Sequence, residues 1–236
     1  LNERSTIERC LNSLRNQDEP AAEIIVTDGG STDGAAEYVE SLTDTRLVEA
    51  SPGRGAQIRK ALEVTSGDIV VIVHADSRLE PGALGKVREA LARYPGAAGG
   101  ALGAVFDSRH AKYRLVELRN NLRARLTGVS FGDQGQFFRR EALTRPFPNY
   151  VLMEDVELAF RMKEAGAVLF LWGGVRSSVR RWEKKGYALN FVKVVQLTAV
   201  FVIMRRFELL RNRCVWFYRK YYGRDYRGAA EVEVAC

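Results

Sequence analysis

Three short stretches carry side chains whose types and spacing could do chemistry. Asp28-Gly-Gly-Ser-Thr-Asp-Gly34 sets a carboxylate ahead of two glycines and a serine. An aspartate there can accept hydrogen bonds from a base or ribose, and the glycines let a ligand approach the backbone. The same pattern also builds an ordinary strand-to-helix turn, with Ser31 capping the next helix and Asp33 near its positive end. His74-Ala75-Asp76 closes a run of β-branched residues. A carboxylate just past a strand end is a good oxygen ligand for Mg2+ or Mn2+ shared with a diphosphate. His74 could meet a nucleotide, although a lone strand-end histidine is more often hydrogen-bonded in place. Glu154-Asp155 opens a predicted helix, where the helix dipole favours negative charge. Asp155 could serve as a general base, which needs an ionised carboxylate within reach of a hydroxyl. On the residues alone, plain helix capping, with Glu157 adding to it, is the better account of this pair.

The elements that must position these groups follow from apolar spacing. Ile7, Leu11 and Leu14 predict a helix from Ser5 to about Arg15, with Ser5 and Glu8 spaced as a capping box. Glu23–Thr27 reads as a short strand, the stretch after Gly34 as a helix to Leu42, and Arg46–Ala50 as a strand. Residues 55–64 read as a helix, and Asp68–His74 as a strand buried on both faces, because its β-branched run does not alternate. Pro81 starts another helix reaching Arg93. Further on, 97–106 is a strand of small residues, 111–126 a helix, 132–138 leads into a strand, and Met153–Ala165 is a helix. Such alternation implies an α/β fold with a mostly parallel sheet flanked by helices. Ligands of these sheets bind beyond the carboxyl ends of the strands, where Asp28 and Asp76 fall.

The chain has 236 residues, 46% of them hydrophobic, enough to bury a sizeable core. Cys10, Cys214 and Cys236 are odd in number and far apart, so they form neither a disulfide framework nor a metal motif and suit a reducing compartment. Two histidines, His74 and His110, exclude a histidine-rich zinc site. The net charge of +7 is unevenly spread, with 14 basic and 3 acidic side chains in residues 172–227. The acidic first half suits a metal-assisted site and the basic end an anionic surface.

Several motifs occur in a fixed order: Leu-Asn-Glu3, Ile-Ile-Val-Thr-Asp-Gly-Gly-Ser-Thr-Asp-Gly34, Gly53-Arg-Gly-Ala-Gln57, Ser-Gly-Asp68, His-Ala-Asp76, Gly-Asp-Gln-Gly135, Phe-Arg-Arg140 and Met-Glu-Asp-Val-Glu-Leu158. In that order they resemble family 2 glycosyltransferases of the GT-A fold, and more narrowly a bacterial branch associated with radical-SAM and selenoprotein gene clusters. The resemblance reaches to about residue 185. It implies a catalytic domain over 1–185 and a basic, aromatic amphipathic helical tail over 186–236. It also implies an inverting transfer from a nucleotide-sugar donor, assisted by a divalent metal (Mg2+ or Mn2+), to an acceptor hydroxyl whose carrier, lipid-linked or glycan, stays open. By matching position, Glu3, Asp28, Arg54, Gln57, His74 and Ala75 lie on the nucleotide side and Asp76 holds the metal. Asp155 is the base, with Glu154 beside it, and Asp133, Gln134, Arg181 and Trp182 fall on the acceptor side. Three features depart from the family pattern: His74 stands where a first acid is usual, Arg145-Pro-Phe-Pro-Asn149 replaces a Gly-Gly-Phe, and Ser178 precedes Arg180-Arg181-Trp182 where processive synthases carry Gln or Arg. Family members enter Leu-Asn-Glu from a first strand, so a sheet lacking one strand is expected.

Residues 187–222 interleave aromatics with Arg205, Arg206, Arg211, Arg213, Arg219 and Lys220. The uncharged run Val194–Met204 is shorter than the roughly 20 residues that span a bilayer, though a snorkelling Lys193 lengthens it. A helix resting on an anionic membrane fits this composition, placing the protein in the cytoplasm on the inner face of the cell membrane. Packing on the catalytic domain is the plainer alternative. Three other functions stay open at this point: a sugar nucleotidyltransferase, a non-catalytic nucleotide-binding relative, and a nucleic-acid-binding module. Basic residues on an apolar helix, rather than in a polar groove, argue against the last, and no nucleic-acid partner is expected.

Overall fold

The structure, a computed structural model, describes residues 1–108, 110–179, 187–207 and 214–222. Its first half runs α1 (Arg4–Arg15), β1 (Ile25–Asp28), α2 (Ala35–Glu40), β2 (Arg46–Glu49), α3 (Arg54–Val64), β3 (Ile69–Val71), β4 (Ser77–Leu79) and α4 (Ala83–Arg93). The second half follows with β5 (Ala97–Phe106), α5 (Ala111–Thr127), β6 (Gln136–Arg139), α6 (Glu154–Ala165) and β7 (Ala167–Ser177). Two C-terminal helices, α7 (Tyr187–Arg206) and α8 (Cys214–Tyr222), complete it. Single turns of 3-10 helix sit at Gly132–Gln134 and Arg140–Ala142.

The α/β class expected from the sequence is what forms, with helices flanking the sheet. The pairing is mixed where a mostly parallel sheet was expected. β1–β2 and β5–β7 are parallel, whereas β3–β6, β5–β6 and β4–β7 are antiparallel. β4 and β6 are short strands entered from tight turns, Ser77 N–H to the His74 carbonyl at 2.9 Å and Gln134 N–H to the Phe131 carbonyl at 3.0 Å, which swing the chain back.

The five-stranded sheet has the order β3-β6-β5-β7-β4, and β1 and β2 form a ladder of their own. The central strand is therefore β5, not the β-branched β3, which is an edge strand bonded to β6 and only half-buried. The small residues of β5 explain its place. A Cβ on Gly99 would run into the Phe137 carbonyl oxygen of β6, and one on Gly100 into the Leu169 carbonyl oxygen of β7. Glycine lets both neighbours press close.

At the front, the expected capping box does not form. Glu3 is the N-cap of α1, Ser5 lies inside the first turn, and Glu8 pairs with Arg4 at 3.9 Å. At the back, α7 and α8 belong to the same apolar cluster as α6. Phe201 and Leu197 of α7, with Phe217 and Tyr221 of α8, are buried with Val156, Leu158, Ala159 and Met162 of α6 and Phe138 of β6. Arg205 ties α7 to α6 by ion pairs of 2.7 Å to both Glu157 and Glu164. Among the described residues, no helix is long and apolar enough to cross a membrane.

Candidate active site

Asp28 ends β1, and its carboxylate closes the following turn. Its Oδ2 accepts the backbone N–H groups of Gly30 (2.8 Å) and Ser31 (2.7 Å), while Oδ1 accepts the Ser31 hydroxyl. Partial burial pushes the carboxyl up, but these hydrogen bonds outweigh it and hold Asp28 below its ordinary value. The turn is pinned from two further sides. Gln57 Nε2 donates to the Thr27 carbonyl at 3.0 Å, and Asn2 Oδ1 accepts the Thr32 N–H at 2.8 Å. Gln57 thus clips α3 to the end of β1 beside Asp28. Glu3 accepts the Thr6 hydroxyl at 2.8 Å within the first turn of α1. Ala75 packs with the apolar residues between α1 and β1.

Of the acids expected to do chemistry, Glu154 meets a guanidinium and Asp155 follows it at the start of α6. Arg54 opens α3, and its Nη1 lies 3.5 Å from Glu154 Oε1 at the start of α6. Burial alone would lower the Arg54 pKa, yet Glu154, the Tyr222 hydroxyl, Asp155 and Asp76 together raise it. The contact is possible because α3 begins in direct touch with the loop before α6. Gly55 N–H donates to the Tyr150 carbonyl at 2.8 Å, and a Cβ at residue 55 would overlap the backbone there. Glu154 is 1% exposed, and its Oε2 is buried without a hydrogen-bond partner. Burial first, and then Asp155, push the Glu154 carboxyl up to about 7, with Arg54 offsetting part of the rise. Both acids are aimed by a strained residue. Met153 holds φ 67°, a left-handed conformation that side chains rarely adopt, immediately before Glu154.

Asp155 is held by backbone donors: Gly132 N–H to Oδ2 and its neighbour Val156 N–H to Oδ1, each at 2.8 Å. Gln136 Nε2 donates to the Asp155 carbonyl at 2.8 Å, tying β6 to the helix start. His74 lies against the same loop. Its imidazole fills the space that a Cβ on Gly132 would take, so Gly132 joins His74 to Asp155. Asp133 and Gln134 follow in that loop and have different surroundings. The Asp133 backbone carbonyl accepts the Ser177 hydroxyl at 3.2 Å. Gln134 is fully buried: its Oε1 accepts Arg123 Nη2 and the Phe131 N–H, both at 3.0 Å, and its Nε2 donates to Asn121 Oδ1 at 3.2 Å. It holds the loop together. Arg181 and Trp182 lie outside the described residues.

Asp76 lines a cavity of about 220 Å³ with Ser5, Thr6 and Arg9 of α1, Arg78 of β4 and Arg176 of β7. Its charge also acts on Cys10, whose thiol burial and Asp76 together push up to about 12. A larger cavity of about 530 Å³ lies at the far end of α6, around Arg161 and Ala165, away from these acids. Among the described residues no three His, Cys, Asp or Glu side chains are placed to hold a metal. Asp76, in the 220 Å³ cavity, offers a carboxylate oxygen of the kind a divalent cation takes when a substrate diphosphate supplies other ligands.

Comparison with known proteins decides the family. The family described as glycosyl transferase family 2 matches residues 1–145, more than half of the sequence. The chain belongs to that family. Among named relatives, this family 2 chain is 35% identical over 77 residues to the uncharacterized glycosyltransferase YibD of Escherichia coli, covering 30% of this chain and 22% of YibD. Matches to curated relatives span about a quarter of their length. Glucosyl-3-phosphoglycerate synthase from Mycobacterium tuberculosis, solved with Mn2+ and UDP-glucose, superposes with a TM-score of 0.51 at 25% identity, covering 74% of this chain and 67% of that one. S. aureus TarS (residues 1–349) superposes with a TM-score of 0.61 at 15% identity, covering 94% and 69%, which speaks to the GT-A fold alone.

Three residues of the candidate site were given no role from the sequence. Arg123 of α5 lies with its guanidinium 3.4 Å from the Phe131 ring centre, and its Nε and Nη1 are buried without hydrogen-bond partners. Burial lowers its pKa to about 10 against the pull of Asp133 and Asp155. It sits in a helix with five other charged residues, so nothing in the sequence marks it out. Gly132 is needed for its bare backbone, and Met153 for its conformation; neither is a chemical signal.

Proposed function

We propose that this chain transfers a sugar from a nucleoside-diphosphate donor to an acceptor hydroxyl, with Asp155 as the general base. The observation that carries the reading is Asp155, its carboxylate oriented by two backbone donors beside the Arg54–Glu154 ion pair, in a family 2 chain. The backbone donors on Asp155 keep its carboxylate in one orientation, which leaves its free lone pairs to take the acceptor proton. The acceptor oxygen then forms a bond to the anomeric carbon as the bond to the diphosphate breaks on the opposite face. Such a single in-line displacement inverts the anomeric configuration, and the nucleoside diphosphate leaves with the electron pair. A divalent cation, Mg2+ or Mn2+, held by Asp76 and the donor phosphates would neutralise the charge that develops on the leaving group.

Asp28 is assigned to the base or ribose, with Glu3, Arg54, Gln57, His74 and Ala75 around it. Support for a sugar donor comes from the Mycobacterium tuberculosis synthase, which binds UDP-glucose with Mn2+. Glu154, part-protonated near neutrality, keeps Arg54 in place without adding a full second charge beside Asp155. Peripheral contact of residues 187–222 with the inner face of the cell membrane belongs to the same reading. It rests on Ile203, Phe207 and Trp216, which stay exposed next to Arg206, Arg219 and Lys220.

A thermal-shift screen of nucleotide sugars, with and without Mg2+ or Mn2+, tests the donor class. One donor is expected to stabilise the chain only with metal present, by about 2.7 kcal/mol at a hundredfold excess over its Kd. Asp76→Ala should lose that metal-dependent shift. Stabilisation by nucleoside triphosphates, and by no nucleotide sugar, would instead indicate a nucleotidyltransferase.

A further inference from the structure

Helix α5 is apolar on two opposite faces. Tyr113, Val116 and Ala124 turn inward and are buried. Leu115, Leu118, Leu122 and Leu126, spaced three or four residues apart, line the other side. They are 54%, 48%, 37% and 79% exposed. A run of leucines on the solvent side of a helix is uncommon without something to cover it. Trp172 of β7, 47% exposed, extends the stripe at the Leu126 end, where Arg125 lies over its ring at 5.7 Å.

The charges around the stripe identify the cover. Lys112 and Arg119 flank the leucines on one side, Arg114 and Arg125 on the other, and all four are exposed. The only acid in α5, Glu117, is buried; it pairs with Arg114 at 2.8 Å and accepts the Phe106 N–H. The outward face is thus four leucines flanked by Lys112, Arg119 and Arg125, with Arg114 paired to Glu117 and no other acid in the helix. A second copy presenting the same face would set cation against cation. We infer that α5 docks on an anionic lipid surface, its leucines entering the acyl boundary and its cations contacting the headgroups. The inference does not depend on the C-terminal helices.

This orientation has a consequence for the site. The inward side of α5 holds Gln134 through Arg123 and Asn121, and Gln134 belongs to the loop whose Gly132 bonds Asp155. Docking brings that loop to within about one helix diameter, roughly 10 Å, of the headgroups. An acceptor carried on a lipid would then meet the base at the membrane surface.

Co-sedimentation of the full chain with phosphatidylcholine vesicles, with and without 30% (about one lipid in three) phosphatidylglycerol, tests the inference. The parent chain should bind the anionic vesicles and release at high salt. Leu118→Gln/Leu122→Gln/Leu126→Gln should bind them at least about tenfold more weakly, with unchanged thermal unfolding because the three side chains are exposed. Ile203→Gln/Phe207→Gln, which leaves α5 intact, should retain α5-dependent binding. Three results would overturn the inference: no binding by the parent chain, equal binding by the leucine variant, or detachment of the Ile203/Phe207 variant alone. A parent chain that is dimeric by light scattering, with a monomeric leucine variant, would show instead that a second copy covers the stripe.

Discussion

Glu154 sits in surroundings far from those of a free side chain, 1% exposed with one carboxylate oxygen lacking a hydrogen bond. Its carboxyl is pushed up to about 7 by burial and by Asp155, whereas an unfolded glutamate titrates near 4.3. Between those values the folded chain holds a proton that the unfolded chain has lost. Stability from this group is therefore fully present below about pH 4, falls as pH rises to 7, and levels off above. Glu154→Gln removes the dependence, so its stability relative to the parent should improve between pH 4.5 and 8 by on the order of 3 kcal/mol. Urea unfolding of both chains across that range measures it; parallel pH profiles would mean the carboxyl is not held this way. The residue scale is also where the sequence was most ambiguous. Asp28 reads equally as ligand contact and as turn cap, and the structure displays the cap plainly. Gln134 resembled an acceptor contact by position, yet its amide is spent inside the protein.

Elements were legible where a local pattern fixes them. α3, α4, α5, α6 and β5 appear within a residue or two of where apolar spacing puts them. β7 was not foreseen, although it is the longest strand, because Gly173 and Gly174 at positive φ break its alternation beside a register shift against β5. β3 looked central on its β-branched run, but which strand is flanked on both sides is settled by pairing partners far along the chain. The tail posed the same difficulty. Its composition suits a membrane surface, while burial of Phe201 against Tyr150 and Phe217 makes α7 part of the core. Phe201→Ala should consequently cost about 3–5 kcal/mol in chemical denaturation. A loss below about 1 kcal/mol, the scale of exposed positions, would mean the helix is only loosely attached.

For the whole molecule, α6 is the element through which the parts communicate. Its first turn carries Glu154 and Asp155, its buried face packs on α7 and α8, and Glu157 and Glu164 bind Arg205. Tyr222 of α8 packs against the same apolar cluster as Val156 and Leu158, so the C-terminal helices support the helix that carries the two acids. Removing residues 187–236 would strip that core as well as any membrane contact, so point variants are the sounder test of either role. The division into a catalytic domain and a tail is a division of composition and charge, across which the packing is continuous.

The account stands on Asp155 as the base of sugar transfer. The most direct test uses the donor found by thermal shift and measures both its binding and the release of nucleoside diphosphate by the parent and Asp155→Asn chains. The account predicts donor affinity within about threefold of the parent and turnover reduced by about 10²–10⁴. An Asp155→Asn chain that releases nucleoside diphosphate at the parental rate would contradict it.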